Sequence, residues 1–201
     1  ITSAVALLYE GAKGETREEI KKVFNFVENT EVTRSSFAAL FNKSSDKNNS
    51  YILKTANGMW IQNDYKILDS YLNPIKKYYS GAVQNVDFIT QAEPIRESIN
   101  SWVEDQTNKK ITSLFPPGSI SGYSRLVIAN AVYFKGIWDI PFKKEYTKDE
   151  PFYIESGESV GVPTMTQYGK NFKYGELDDL QIVDLPYKST ELSMLVILPQ
   201  K

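Results

Sequence analysis

Leu126-Val-Ile-Ala-Asn130-Ala-Val-Tyr-Phe134 is almost wholly apolar, rich in β-branched and aromatic residues, and follows a break at Pro116, Pro117 and Gly118. A short continuous apolar run bounded by turn residues is the pattern of a strand buried on both faces, and it places this segment at the centre of a sheet. Asn130 stands in the middle of the run. A buried amide must find partners or cost roughly a few kcal/mol, so something across the sheet should bond it. A satisfied core amide is one reading. The other is a polar latch between elements that move relative to each other.

Working outward, helical patterns dominate the earlier residues. Ala4, Val5, Leu7 and Leu8 recur at helical spacing within Ile1 to Glu10, and Gly11 stops that helix. Thr16 and Glu19 form a T-x-x-E capping box ahead of Ile20, Val23, Phe24 and Val27. Phe37, Leu40 and Phe41 mark a short third helix, followed by a polar stretch from Asn42 to Ser50 that reads as an exposed loop. Tyr51 to Ile61 reads as a strand. Leu68, Tyr71, Leu72, Ile75, Tyr78 and Tyr79 share a helical face, interrupted by Pro74, which should kink the helix or restart it at Asn73. Ala82 to Phe88 is a further strand, and Glu93 to Asn108 an amphipathic helix carrying Ile95, Ile99, Trp102 and Val103 on one side. Beyond Pro151, short strand-like runs alternate with turn residues such as Glu155, Ser156, Gly157 and Glu158, as in consecutive hairpins. Helices early and strands late give an α+β order.

The 201 residues, 41% of them hydrophobic, suit one sizeable core, and no Gly/Ser-rich linker or repeat divides them. The 23 basic and 25 acidic residues nearly balance, so neither nucleic acid nor an anionic membrane is an expected partner. No apolar stretch reaches the roughly 18 to 20 residues of a membrane span. With no His and no Cys, the chain cannot build a Ser-His-Asp or Cys-His site and lacks the usual zinc and copper ligands. No catalytic residue, metal or cofactor is therefore assigned.

Local motifs have bland explanations. Gly11-Ala-Lys-Gly14-Glu-Thr16 lacks the Gly-Lys-Ser/Thr order of a phosphate loop and reads as a turn whose glycines supply positive φ. Asp178 and Asp179, adjacent in a turn, do not suit a pair of catalytic carboxylates. Asn42-Lys-Ser44 and Asn48-Asn-Ser50 are N-x-S sequons, so Asn42 and Asn48 are possible N-glycosylation sites.

Leu126 to Phe134, continued by Lys135-Gly136-Ile-Trp138, Pro141-Phe142 and Thr147, closely resembles the serpin signature around the third strand of the main sheet. The resemblance runs in order along the chain: Ala6 to Thr16 is similar to the serpin B helix and its turn, Thr55 to Gln62 to strand two, and Ile99 to Ile111 to helix F. Val162-Pro-Thr-Met165, Leu185-Pro-Tyr187 and Leu192 to Pro199 complete the set.

The resemblance implies an α+β serpin fold: a mostly antiparallel sheet A with helices, plus strands of sheets B and C. It implies one domain fragment over residues 1–201, starting within helix B and ending near strand 3B, before the reactive loop. The serines that precede helix B in the family would lie before Ile1, and the reactive-centre loop and strand five beyond Lys201. Inhibitory serpins offer that loop to a serine or cysteine protease, then insert it as a new strand and trap the acylated enzyme. By position Asn130 belongs to the shutter, Trp138, Thr147 and Tyr187 to the breach, and Phe134, Lys135 and Gly136 to the core of strand 3A. The implied partners are a target protease and the remaining C-terminal part of the same serpin, in the same chain or as a separate one. The implied location is secreted or extracellular, with an intracellular one as the alternative. A non-inhibitory chaperone, carrier or storage serpin shares the same body.

Overall fold

In the computed structural model, which describes residues 1–46, 50–168, 172–188 and 191–199, strand β1 (Ile52–Gln62) lies at the middle of a three-stranded sheet. Strand β2 (Gly81–Val86) pairs with it in parallel, and helix α4 (Asp69–Tyr78) supplies the crossover that a parallel pair requires. Strand β3 (Leu126–Lys135) occupies the other flank. It runs antiparallel to β1: the Gln62 N–H donates to the Arg125 carbonyl at 3.0 Å, while Asn130, further along β3, meets Ala56 and Asn57, earlier in β1.

The sheet belongs to the first of two units into which the chain divides, Ile1–Asn48 with Ile52–Phe134; the second is Asn49–Tyr51 with Lys135–Lys201. Among the described residues the central, doubly covered strand is β1 rather than β3. Residues 56–62 of β1 are all buried, whereas Leu126, Val132 and Phe134 of β3 are 42%, 50% and 38% exposed. Apolar composition records what a strand is able to bury, but its neighbours decide what it does bury.

Side chains alternate across the pleat, and each face of β1 meets different helices. Asn57, Met59 and Ile61 point one way, where Met59 and Ile61 join Ala6 and Leu7 of helix α1 (Thr2–Gly11), Phe41 of helix α3 (Thr30–Ser44), Ile75 of α4, and Tyr79. Gly58 and Trp60 point the other way. There Trp60 packs with Ala129 and Ala131 of β3 and with Ile95, Ile99 and Val103 of helix α5 (Phe88–Gln106). Burying each aliphatic side chain of that seam is worth about 1.5–3 kcal/mol. The Trp60 ring meets Trp102 of α5 edge to face, centroids 5.2 Å apart at 83°. Gly58 makes room for the pair: a Cβ there would stand 2.3 Å from one Trp60 ring carbon and 3.0 Å from one of Trp102.

Helix ends depart from the sequence pattern in instructive ways. Helix α2 (Gly14–Phe24) starts ahead of Thr16, with Lys13 at its N-cap and no side-chain cap, so the expected capping box does not form. Gly14, at φ +56°, turns the chain by backbone geometry and makes a hydroxyl cap unnecessary; Gly11 ends α1 without a positive φ. Helix α3 continues to Ser44 and carries Asn42 in its last turn rather than in a loop; Asn48 lies outside the described residues. Helix α4 contains Pro74 without restarting at Asn73. Helix α5 begins at Phe88, capped by Asp87, whose carboxylate accepts from the Thr90 hydroxyl and the N–H groups of Ile89 and Thr90. Those bonds, with the Thr90 hydroxyl foremost, hold the Asp87 carboxyl below its usual range. Gln91 interrupts α5 at φ −131° and ψ 33°. Pro94 has no N–H to offer the Thr90 carbonyl, so the long segment effectively restarts after Gln91, with Pro94 in its first turn.

In the second unit, β4 (Lys148–Tyr153) and β5 (Ser159–Thr164) form an antiparallel hairpin around Gly157 at φ +85°. Strands β6 (Lys173–Leu177), β7 (Leu180–Pro186) and β8 (Ser193–Pro199) form an antiparallel meander in that order. The hairpins expected from the turn residues are therefore present.

A polar knot ties α1, α3 and α4 together. The Glu10 carboxylate, with its side chain 2% exposed, accepts two bonds from Arg34 at 3.1 and 2.8 Å and one from the Tyr79 hydroxyl at 2.7 Å. The Tyr71 hydroxyl donates to the Leu7 carbonyl at 3.0 Å. Burial, aided by the Glu10 charge, pushes the Tyr71 phenol up to about 12, and burial together with the Glu10 bond raises Tyr79 further. An unfolded phenol ionises near about 10, so stability from these groups is complete below that pH and declines as pH rises toward the folded values. Urea midpoints of the full-length protein should therefore fall from about pH 10 upward, and Tyr79→Phe, less stable at pH 8, should fall less steeply over the same window. At the aromatic notch, Gly58→Val should cost at least about 1–3 kcal/mol in urea unfolding monitored by circular dichroism.

Candidate functional site

Asn130 lies on the β3 face that carries α1, and its side chain joins three elements. Its Nδ2 is 2.9 Å from Asn57 Oδ1 on β1, 3.2 Å from Ser3 Oγ in the first turn of α1, and 3.4 Å from the Ala56 carbonyl. Two N–H groups serve three acceptors, so the Ala56 contact is the weakest. Asn57, 1% exposed, passes the chain of bonds on by donating from its own Nδ2 to the Tyr79 carbonyl at 3.0 Å, at the end of α4. The partner expected across the sheet for Asn130 is thus Asn57. Ser3 was not foreseen as a partner, although it lies one helical turn before Ala6 and Leu7 on the same α1 face.

Amides and a hydroxyl without a neighbouring base have no acid–base or nucleophilic role near neutral pH. What they can do is hold. Each such bond contributes a net of about 0.5–1.5 kcal/mol, and stranding one buried partner costs about 1–3 kcal/mol. The ladder is therefore a directional latch between β1, β3 and two helix ends, made of groups that can exchange partners without changing charge. Gln62, 3% exposed, plays a similar part at the far end of β1: its Oε1 accepts from the Phe88 N–H at 2.7 Å and its Nε2 reaches Asp87 at 3.4 Å.

The second unit holds the aromatic candidates. Trp138 and Tyr187 stack with centroids 4.5 Å apart and 10° between planes, and Phe142 meets Trp138 edge to face at 6.0 Å. The backbone sets this register: Trp138 and Tyr187 form an antiparallel bridge, flanked by Asp139 N–H to the Pro186 carbonyl at 3.0 Å and Lys188 N–H to the Ile137 carbonyl at 2.8 Å. Gln167 donates to the carbonyl of Ile140, two residues after Trp138, at 2.9 Å. Thr147 closes the 3₁₀ turn Lys144–Tyr146, its N–H bonded to the Lys144 carbonyl at 3.1 Å; that bond orients the turn and involves neither ring. Phe134 and Lys135 are the last residues of β3 and are exposed, and Gly136 follows the strand, so these three sit at its end rather than in its core.

The family model for serpin (serine protease inhibitor) matches residues 1–201. An uncharacterized serpin-like protein of Methanosarcina mazei is 40% identical over 200 residues, covering 100% of this chain and 47% of its own length. Serpin B4 of Homo sapiens is 40% identical over 221 residues, covering 100% of this chain and 56% of its own length. The structure of ovalbumin from emu, Dromaius novaehollandiae, superposes with a TM-score of 0.86 at 35% identity, over 98% of this chain and 55% of that one. The chain spans about half the length of the relatives it matches.

If the ladder acts as a latch, Asn57 and Asn130 are coupled. In a double-mutant cycle on the full-length protein, Asn57→Ala and Asn130→Ala should show a coupling energy of about 0.5–3 kcal/mol in urea unfolding. Additivity within about 0.3 kcal/mol would mean that the bond contributes nothing.

Proposed function

The chain belongs to the serpin family, and from that premise we propose that it is part of an inhibitor of serine or cysteine proteases that works by inserting its reactive loop beside β3. Serpins are generally protease inhibitors rather than enzymes. The observation that supports the reading is the amide ladder at Asn130, which ties β3 to Asn57 of β1 and to Ser3 of α1 in a chain that matches the family model over residues 1–201. Asn130, tied to Asn57 and Ser3, is the shutter residue in this reading, holding β3 to β1 while the sheet admits a strand. Trp138 and Tyr187, with Thr147 nearby in sequence, form the breach where insertion starts.

In that mechanism the protease nucleophile attacks the scissile carbonyl of the loop, the amine half leaves, and the acyl-enzyme remains. Insertion of the loop then carries the acylated protease away and distorts its active site. The loop belongs to the remaining C-terminal part of the serpin, which completes with this chain a single serpin domain. A secreted location accords with the family, as does an intracellular one; no helix among the described residues is long and apolar enough to cross a membrane.

A second reading, a non-inhibitory serpin, is favoured by the likeness to ovalbumin. The two separate in one experiment. The full-length protein, mixed with trypsin-, chymotrypsin- and elastase-like serine proteases and a papain-like cysteine protease, should form a covalent complex that survives detergent electrophoresis with at least one of them. Simple cleavage, with no complex from any enzyme, would assign the non-inhibitory role.

A further inference from the structure

Asn57-Gly58 is the chain's one Asn-Gly step, and no Asp precedes any of its 11 glycines. Two separate demands of the fold put these residues side by side. The amide ladder needs a short group at 57 that both accepts and donates: Oδ1 takes the bond from Asn130 at 2.9 Å, and Nδ2 gives one to the Tyr79 carbonyl at 3.0 Å. The aromatic notch needs a residue without Cβ at 58, because a Cβ would stand 2.3 Å from Trp60 and 3.0 Å from Trp102.

The pair is chemically labile wherever the chain moves freely. A glycine nitrogen is unshielded, and its backbone reaches the angles at which it attacks the side-chain carbonyl carbon of a preceding asparagine. The Gly58 nitrogen then bonds to Asn57 Cγ, the Cγ–Nδ2 bond breaks, and Nδ2 leaves as ammonia with the proton lost from the Gly58 N–H. Water opens the resulting succinimide at either carbonyl. Attack at Cγ gives aspartate. Attack at the main-chain carbon gives isoaspartate, whose backbone runs through Cβ and Cγ and is one atom longer.

Folded β1 blocks the first step. Ring closure needs the strand to leave its extended angles, but Asn57 and Gly58 are paired opposite Gly81 and Ala82 of β2, with β3 on the other flank. Both ends of the Asn57 amide are bonded, and at 1% exposure the residue is closed to water and base.

The products do not fit the place they come from. Aspartate at 57 has no N–H for the Tyr79 carbonyl and sets a buried negative charge against it. Isoaspartate puts Gly58 and everything after it out of phase with β2 and with the helices that receive Met59, Trp60 and Ile61.

We propose that Asn57 is a deamidation site, silent while the ladder is closed, whose conversion after β1 has opened keeps the ladder from closing again. It is a one-way covalent record of opening, whatever the cause of opening, and so stands apart from the inhibitory reading.

The full-length protein, kept in mildly alkaline buffer with and without denaturing urea, is quenched in acid and digested with trypsin, and the peptide of residues 55–66 is fragmented in the mass spectrometer to separate Asn57 from Asn63. Loss of Asn57 should run at least about a hundredfold slower in the folded protein, an opening cost of at least about 3 kcal/mol at about 1.4 kcal/mol per tenfold. Asn130→Ala should speed the folded-state reaction by about twofold to tenfold, the range expected for one lost hydrogen bond. In protein aged just below its urea midpoint, the product should be enriched at least about tenfold in the fraction that does not regain native mobility on a gel. Equal rates with and without urea, or an unchanged rate in Asn130→Ala, would overturn the silencing by the ladder. Product spread evenly between native and non-native fractions would overturn the one-way record. Should Asn130→Ala fail to fold, the wild-type rates and fractions decide.

Discussion

A strand cannot send neighbouring side chains to the same side, and in β1 this rule assigns two separate cores. Met59 and Ile61 face the packed helices α1, α3 and α4; Trp60 faces α5. Everything else in the first unit is arranged around that alternation. Shifting β1 by one residue would turn Trp60 into a space filled by Ala6 and Leu7 and would point Met59 at α5. The pairing with β2 and β3 is thereby pinned by packing as well as by hydrogen bonds.

The two faces differ in chemistry. On the side of α1, polar groups are threaded through the core: the amides of Asn57 and Asn130, the Ser3 hydroxyl, and the Glu10 knot with Arg34 and Tyr79. Buried groups of this kind permit few alternative geometries, because each displaced partner leaves a costly vacancy. On the side of α5 the contact is apolar and aromatic, and Arg96 and Asn100 of the helix bond to the Phe115 carbonyl in the segment that follows it. One face holds its register through buried polar bonds, and the other closes by apolar and aromatic packing.

Much of this architecture was legible in the residues. β-Branched runs located β1, β2 and β3, helical spacing located α1 to α5, and Gly157 among polar neighbours located the β4–β5 hairpin. Asn130 stood out because an amide inside an apolar run must be answered by another group. What failed was whatever depended on distant neighbours. The Thr16 cap was displaced by the backbone turn at Gly14, Asn42 was drawn into α3 by the packing of Phe41, and β3 yielded the central place to β1.

The order of elements, the need of Asn130 for a partner and the lack of any His or Cys chemistry follow from the sequence alone, because periodicity, polarity and residue type are local properties. The identity of that partner, the notch at Gly58 under two tryptophans and the bond from Asn100 to the Phe115 carbonyl do not. Asn57 and Asn130 are separated by 73 residues, and the Asn100 and Phe115 groups by 15, so only the folded chain could bring them within hydrogen-bond reach. Distances of that kind are set by how helices and strands stack, and no spacing along the chain encodes them.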